Sequence, residues 1–170
     1  LGQQVKFKKN FGPDLKKVDL NILNNVKKGE FLKKLNPVYE IIKETKKKLS
    51  ISNKDTIGFV GAPWTLLLYM LYRKSPKEGN FNIFRKDKYI NNILIKLDEF
   101  LKIHIEAQIK SGASIIQIFD SWAGLLPEKD LDYFVYKPIK SLVDFIRQKK
   151  TISICFPRNI NNYKKFVNNV

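Results

Sequence analysis

Three short apolar segments constrain the fold of this 170-residue chain more than any other feature. They read TIGFVG (residues 56–61), ASIIQIFDS (residues 113–121) and TISICF (residues 151–156). Short, nearly continuous apolar runs of this kind are typical of buried strands in parallel sheets. A segment with helical character follows each of them, so the order is strand, helix, strand, helix, strand, helix. This order favours parallel βαβ units and an α/β fold.

The longest predicted helix, residues 88–110, has both a buried face and a stop signal. Gly112 lies just past its end, where glycine commonly caps a helix C-terminus. The predicted buried stripe consists of Ile93, Leu97, Leu101, Ile105 and Gln108.

Prolines mark the other predicted boundaries. A second helix is expected to start with Asn36 as its N-cap and Pro37 as its first residue. Its apolar face is expected to contain Val38, Ile41, Ile42, Thr45 and Leu49. A third helix, residues 131–150, has a proline inside it, and residues 10–15 are predicted to be a turn because Gly-Pro breaks regular structure.

The composition limits the classes of protein to which the chain can belong. Hydrophobic residues make up 44% of it, enough for a sizeable core, and no apolar run approaches the ~20 residues that span a bilayer. The single cysteine, Cys155, excludes an internal disulfide and fits the reducing cytoplasm. Because the chain starts with Leu1 and holds only three such strands, we expect it to be an internal piece of a longer protein.

The formal net charge of +16 raises nucleic acid as a partner. However, the basic residues are almost all lysines in scattered short runs, with few arginines for bidentate contacts to phosphate or guanine. We therefore expect no nucleic acid to bind. The same positive field can attract a small polyanionic substrate.

Unusual residues end the first two predicted strands, where parallel α/β folds bind their ligands. The first strand ends in GFVGAPWT, with Gly61 as its last residue, and Pro63 and Trp64 are expected to fix and anchor the turn. The second strand ends in IFDSWAG. Each motif alone can also be an ordinary strand-to-helix turn.

Taken together, the segments GFVGAPWTLLLYM (residues 58–70) and QIKSGASIIQIFDSWAGLL (residues 108–126) resemble the uroporphyrinogen decarboxylase family. Every fixed position of the family pattern Gly-Phe-x-Gly-x-Pro-Trp-Thr-Leu-x-x-Tyr-Met is present. The resemblance covers essentially the whole chain but about half of the family's length. One departure follows Met70, where the family usually continues x-Glu-Gly-Gly and this chain reads LYRK.

The resemblance implies that residues 1–170 are part of a (β/α)8 TIM barrel, truncated at both ends, with the third to fifth strands present. It implies a cofactor-free lyase that removes carbon dioxide from the four acetate side chains of uroporphyrinogen to give coproporphyrinogen. The full-length protein is expected to be a cytoplasmic homodimer that needs no membrane.

The family's site residues can be matched position by position. Tyr69 and Ser121 match its substrate-contacting hydroxyls, and both suit hydrogen bonding to a carboxylate. Phe59 and Phe119 match apolar walls that face the macrocycle, and Gly61 lets the backbone approach it. The family's aspartate belongs just upstream of the first residue, so we expect no catalytic residue within this chain.

The remaining candidates are weaker. Asp120 occupies the acidic position of the Phe-(Asp/Glu)-Ser motif and is interpreted as a packing group. His104 is interpreted as an ordinary helix residue, Cys155 as an inert core thiol and Arg158 as a surface residue.

Two alternative functions stay open. Corrinoid-linked methyltransferases resemble the decarboxylases but bind zinc through a His-x-Cys pair and a second cysteine, which this chain does not supply. A basic nucleic-acid-binding module would need aromatic residues interleaved with Arg and Lys on one exposed face. We expect no metal site.

Overall fold

The computed structural model describes residues 1–8, 12–73 and 87–170. The strands are β1 (Val5–Lys8), β2 (Gly12–Leu15), β3 (Ile57–Gly61), β4 (Ile115–Asp120) and β5 (Ile152–Pro157). The helices are α1 (Leu20–Asn24), α2 (Lys28–Leu49), α3 (Pro63–Tyr72), α4 (Lys88–Lys110), α5 (Glu128–Leu131), α6 (Lys137–Gln148) and α7 (Tyr163–Asn169). A 3-10 turn (Ala123–Leu125) precedes α5, and a π-helical turn (Asp132–Tyr136) joins α5 to α6. The polar sequence at residues 75–79 also predicts a loop, which lies outside the described residues.

The central element of the described residues is a parallel sheet in the order β3-β4-β5, which confirms the predicted βαβ arrangement. Gly61 aligns with Phe119 at the carboxyl end of the sheet, and Phe119 aligns with Phe156. Parallel pairing requires a crossover between consecutive strands, and here the helices provide it. The carboxyl ends of all three strands therefore lie at one edge.

One prediction about these strands is wrong: they are buried on one face only. Helices cover the face that includes Val60, Ile116 and Ile118, whose exposed fractions are at most 3%. The opposite face is open in the described part of the chain, and the side chains exposed on it are Ile57, Phe59, Ile152, Ile154 and Phe156. The sequence shows that both faces are apolar, but only the tertiary arrangement shows which face has a cover.

The segment at residues 10–15 is not simply a turn. Its last four residues form β2, which pairs antiparallel with β1 in the register Val5↔Leu15 and Phe7↔Pro13. Proline is tolerated in an edge strand because its missing N–H removes no bond on the solvent side.

Helix α2 begins eight residues before the expected N-cap, at Lys28, and keeps Pro37 inside it. An interior proline normally costs a helix about 3 kcal/mol. Tertiary packing offsets this cost. The ring of Phe31, in the first turn of α2, lies edge-on against the ring of Phe100 on α4, with the ring centroids 5.0 Å apart. The buried face is also rotated from the expected one: Tyr39 and Ile42 are buried, whereas Ile41 is 67% exposed.

Helix α4 agrees with the sequence at both ends and along its length. The Asp87 carboxylate caps its first turn by accepting from the backbone N–H of Tyr89 at 2.7 Å. Every residue of the predicted stripe is at least 93% buried. Gly112 follows the helix with a φ of +109°, a conformation that strongly favours glycine.

The predicted third helix contains a π-helical turn near Pro138. The π-helical turn comes directly before α6, and the backbone N–H of Lys137 bonds to the carbonyl of Asp132, five residues back. Pro138 is the second residue of α6 and so lies inside a continuous helical segment, as predicted. Within the described residues, none of the helices is long and apolar enough to cross a membrane.

Candidate functional site

Three phenyl rings form a row across the open face of the sheet near the carboxyl ends of its strands. Phe59 of β3 meets Phe119 of β4 edge to face, with ring centroids 6.0 Å apart. Phe119 in turn meets Phe156 of β5 at 6.3 Å in the same geometry. Phe59 is 65% exposed and Phe156 is 50% exposed, so this phenyl row offers an apolar surface to a ligand.

Phe156 was missed in the sequence, although Phe59 and Phe119 were singled out. A signal was present: the segments GFVG, QIFD and ICFP each carry a phenylalanine near the strand end. Alternation along a strand fixes the face of each residue only after the register is known. The pairing of Phe119 with Phe156 supplies that register.

The two predicted hydroxyl residues lie beside the same tryptophan. Tyr69 is half-buried on α3, and its ring centroid is 6.4 Å from that of Trp122 in a T-shaped arrangement. Ser121, also half-buried, is the residue directly after β4 and directly before Trp122. The fold therefore brings Tyr69 and Ser121, separated by more than fifty residues of sequence, to one edge of the sheet.

Pro63 and Trp64 have the structural roles predicted for them. Pro63 is the first residue of α3, where its fixed φ suits a helix start. The Trp64 side chain is fully buried, with its ring centroid 5.2 Å from that of Phe134. Its indole N–H donates to the backbone carbonyl of Trp122 at 2.9 Å, which ties the start of α3 to the turn after β4.

Asp120 is a packing group, as predicted, and its environment is unusual. The side chain is fully buried, and the hydroxyl of Thr65 donates to its Oδ1 at 2.7 Å. Burial raises the pKa of the Asp120 carboxyl to about 7, although the Thr65 hydroxyl and the Trp122 N–H act to lower it. Thr65 is a fixed position of the family pattern, but no role was predicted for it from the sequence.

The two glycines of GFVG do not share one role. An added Cβ at Gly58 would lie 2.6 Å from the Gln108 Oε1, on the helix-covered side, so this glycine makes room for packing and not for a ligand. Gly61 is half-buried at the end of β3, where an added Cβ would be 3.0 Å from Leu66. The motif GFVG also predicts a close backbone approach to a ligand at both of its glycines; this is overturned at Gly58 and stays a prediction at Gly61.

Gly124, the last residue of the FDSWAG motif, is required by a close backbone contact. An added Cβ would lie 2.3 Å from the carbonyl oxygen of Asn159, in the loop after β5. The Gly124 N–H also donates to the carbonyl of Arg158 at 3.0 Å. The motif therefore packs the turn after β4 against the loop after β5.

The weaker candidates differ in their surroundings. The Nδ1 of His104 on α4 is 3.0 Å from the Tyr39 hydroxyl of α2, and burial lowers the pKa of the imidazole. Cys155 on β5 is half-buried and packs against the core, as predicted, and burial raises the pKa of its thiol to about 11. The side chain of Arg158 is exposed. Among the described residues, no three His, Cys, Asp or Glu side chains gather as metal ligands.

The fold and the position of these residues define an α/β protein with a candidate site at the carboxyl ends of parallel strands. The family model described as uroporphyrinogen decarboxylase (URO-D) matches residues 1–168. The chain belongs to the uroporphyrinogen decarboxylase family.

Similar proteins agree with this family. A uroporphyrinogen decarboxylase from Rickettsia bellii is 40% identical over all of this chain and 52% of its own length. One from Campylobacter fetus is 35% identical over 96% of this chain and 49% of its own length. The chain thus spans about half the length of these relatives.

A solved structure of a methyltransferase from Methanosarcina mazei supports the fold. Its TM-score is 0.59 at 18% identity, over 91% of this chain and 46% of that structure. At this identity, the likeness concerns the fold alone.

Proposed function

We propose that residues 1–170 are a segment of a uroporphyrinogen decarboxylase, which removes carbon dioxide from the four acetate side chains of uroporphyrinogen III to give coproporphyrinogen III. The observation that carries the proposal is the match of the family model to residues 1–168. The relatives' names support the same substrate and the same lyase chemistry.

The phenyl row suits a flat, largely apolar macrocycle. Edge-to-face rings at Phe59, Phe119 and Phe156 form a rigid surface with little side-chain freedom to lose on binding. Excluding water from this surface strengthens the electrostatic contacts at its edge. In the proposed reaction the protonated pyrrole ring accepts the electron pair of the carbon–carbon bond that breaks as carbon dioxide leaves, so no cofactor is required.

Tyr69 and Ser121 are proposed to hold the substrate's carboxylates. Both can donate an O–H hydrogen bond, and a bond to a charged acceptor is stronger than one between neutral groups. The field of a chain with net charge +16 attracts a polycarboxylate toward the site. The family aspartate that faces the pyrrole N–H groups is expected upstream of Leu1. The role proposed for the hydroxyls of Tyr69 and Ser121 is therefore to bind and orient the substrate.

We propose that β3, β4 and β5 are the third to fifth strands of a (β/α)8 barrel and that residues 1–170 form part of that one domain. The parallel order and the open apolar face support this assignment, because closing a barrel buries such a face. The share of the relatives that the chain matches, about half, agrees with it.

The methyltransferase alternative has less support. The likeness to the Methanosarcina mazei structure, at 18% identity, supports the fold and not this activity. The chain's single histidine lies on α4 and its single cysteine on β5, so they do not form the His-x-Cys pair that zinc binding in those enzymes requires.

Three further expectations remain proposals. The complete protein is expected to be a homodimer in the cytoplasm, which the single cysteine favours. We expect no binding to nucleic acid, because lysine runs without arginine clusters give little base recognition. A salt titration against any oligonucleotide tests this point.

A hybrid enzyme tests the proposed function. Residues 1–168 replace the matched segment of the Rickettsia bellii relative, and the hybrid is assayed for coproporphyrinogen formed from uroporphyrinogen. A folded hybrid with activity supports the proposal. A hybrid that melts like the parent enzyme but releases no product overturns it.

A further inference from the structure

Asp120 is a buried titratable group at the proposed site. It is not among the residues proposed to contact the substrate. It is the last residue of β4, it is fully buried, and its Oδ2 atom has no hydrogen-bond partner among the described residues. A fully buried carboxylate with one side-chain donor is costly, and a protonated carboxyl group costs less because it carries no charge. Burial raises the pKa of this group to about 7, so its neutral form is well populated at neutral pH.

The carboxyl group lies where three contacts join α3 to the turn after β4. The hydroxyl of Thr65 on α3 donates a hydrogen bond to the Asp120 Oδ1 at 2.7 Å. The same hydroxyl oxygen accepts from the backbone N–H of Trp122 at 3.3 Å. The Trp64 indole donates to the Trp122 carbonyl, so both backbone groups of Trp122 are held by neighbouring residues of α3.

These contacts determine where the two proposed substrate hydroxyls lie. Ser121 is between Asp120 and Trp122, so both of its neighbours are bound to α3. Tyr69 is one turn further along α3 from Thr65, and its ring packs against Trp122. A shift of the turn relative to α3 therefore changes the separation of Tyr69 and Ser121.

We propose that Asp120 is a positioning residue that joins Thr65 to the turn after β4 and thereby sets the distance between Tyr69 and Ser121. The carboxyl group touches neither substrate nor reacting atoms. It acts through Thr65 and Trp122, and its consequence for catalysis rests on the proposed function. The neutral form with one accepting oxygen is sufficient for this role, so an amide can replace it.

The two tryptophans of the chain, Trp64 and Trp122, both belong to this cluster, so intrinsic fluorescence reports on it selectively. We expect Asp120→Ala to shift the emission to longer wavelength and to increase quenching by acrylamide. Asp120→Asn, which keeps the shape and the accepting oxygen, should restore the emission of the unmodified chain. Asp144→Asn, on the exposed side of α6, is the matched control.

Thr65→Val keeps the side-chain shape and removes the hydroxyl, so it should loosen the cluster as Asp120→Ala does. If circular dichroism shows that Asp120→Ala does not fold, Thr65→Val tests the proposal in its place. Unchanged emission and quenching in folded Asp120→Ala or Thr65→Val would overturn the proposal, and so would an Asp120→Asn variant that behaves like Asp120→Ala.

The hybrid enzyme separates this proposal from the proposed function. We expect Asp120→Ala to lower kcat/KM about tenfold, through misplacement of groups that bind the substrate, and Asp120→Asn to recover most of the loss. If Tyr69→Phe and Ser121→Ala lower activity but Asp120→Ala does not, positioning by Asp120 is wrong and the proposed function stands. If the unmodified hybrid is inactive while the fluorescence results hold, the proposed function fails and the structural link stands.

Discussion

The side-chain amide of Gln108 on α4 makes two hydrogen bonds to the backbone of Phe59 on β3. Its Oε1 accepts from the Phe59 N–H at 3.0 Å, and its Nε2 donates to the Phe59 carbonyl at 3.1 Å. On the edge of β3 that faces β4, the Thr56 carbonyl accepts from the Ser114 N–H and the Ala62 N–H donates to the Phe119 carbonyl. Because backbone groups alternate in direction along a strand, those of Phe59 point to the other edge of β3. A helix side chain thus replaces a neighbouring strand at this position and fixes the backbone that carries the first ring of the phenyl row.

Replacing Gln108 by leucine should destabilise the chain by about 1–3 kcal/mol, because two backbone groups lose their partners. Urea unfolding measures the loss, and hydrogen exchange should show faster exchange of the Phe59 amide. The control is Gln148→Leu at the exposed end of α6, which should change stability by less than about 0.5 kcal/mol. Equal stability of the two variants would show that the amide contacts are unimportant.

Tyr69→Phe and Ser121→Ala in the hybrid enzyme should each lower kcat/KM roughly ten- to hundredfold. Each variant loses a hydrogen bond to a charged substrate group, about 1.5–3 kcal/mol. Tyr163→Phe on α7, where the tyrosine is 52% exposed, is the matched control and should keep normal rates. Wild-type kinetics in both site variants would show that these hydroxyls do not contact substrate.

Arg73 departs from the family pattern in a way that stability measurements can test. It follows α3 with a φ of +66°, at the first of the two positions where the family has Gly-Gly. Its Nε donates to the Leu15 carbonyl at 2.8 Å and so binds α3 to β2. Arg73→Ala loses this bond and keeps the strained backbone, whereas Arg73→Gly loses the bond and relieves the strain.

We therefore expect Arg73→Gly to be more stable than Arg73→Ala by about 1 kcal/mol. Thermal and urea unfolding of the two variants side by side provide the comparison. If alanine is equal to or better than glycine, residue 73 does not adopt the left-handed conformation in solution.

The stability of the chain should depend on pH through Asp120. Its folded pKa of about 7 is above the ordinary value of 3.8, so the folded state holds this proton more tightly than the unfolded chain. The contribution to stability is full below pH 3.8 and is lost as the pH rises to about 7. We expect the stability of the wild type relative to Asp120→Asn to fall by roughly 2–4 kcal/mol across this range.

His104 acts in the opposite direction, because its lowered pKa removes stability as the pH falls below 6.5. His104 is present in the wild type and in Asp120→Asn, so its contribution cancels in the difference between their stabilities. Urea unfolding at several pH values gives this difference directly, and a value independent of pH would show that Asp120 is not buried as a neutral acid.

The open sheet face should make the isolated chain associate as salt rises. The +16 charge keeps molecules apart, but that repulsion is screened, with a Debye length of about 8 Å at physiological ionic strength. Light scattering against salt measures the effect, and Ile154→Lys on the open face should suppress it. Ile41→Lys, on the exposed side of α2, is the control. A monomer that stays soluble and melts cooperatively at high salt would contradict the partial-barrel proposal.

The sequence by itself determined the elements that local chemistry specifies. Helix α4 was predicted to the residue because its stripe of five buried positions and Gly112 give consistent signals. Pro63 placed the start of α3 for a similar reason, since its fixed φ needs no tertiary partner. The family motifs at residues 58–70 and 108–126 also identified the family, because they combine many fixed positions.

Only the tertiary structure decided the features that depend on distant contacts. Helix α2 extends back to Lys28 because Phe31 packs on Phe100, which no local signal around Pro37 contains. Phe156 joined the site through strand register, and Thr65 through a hydrogen bond to a residue 55 positions away. Pairing and burial arise from contacts between segments remote in sequence, so their energies become visible only when the chain is folded.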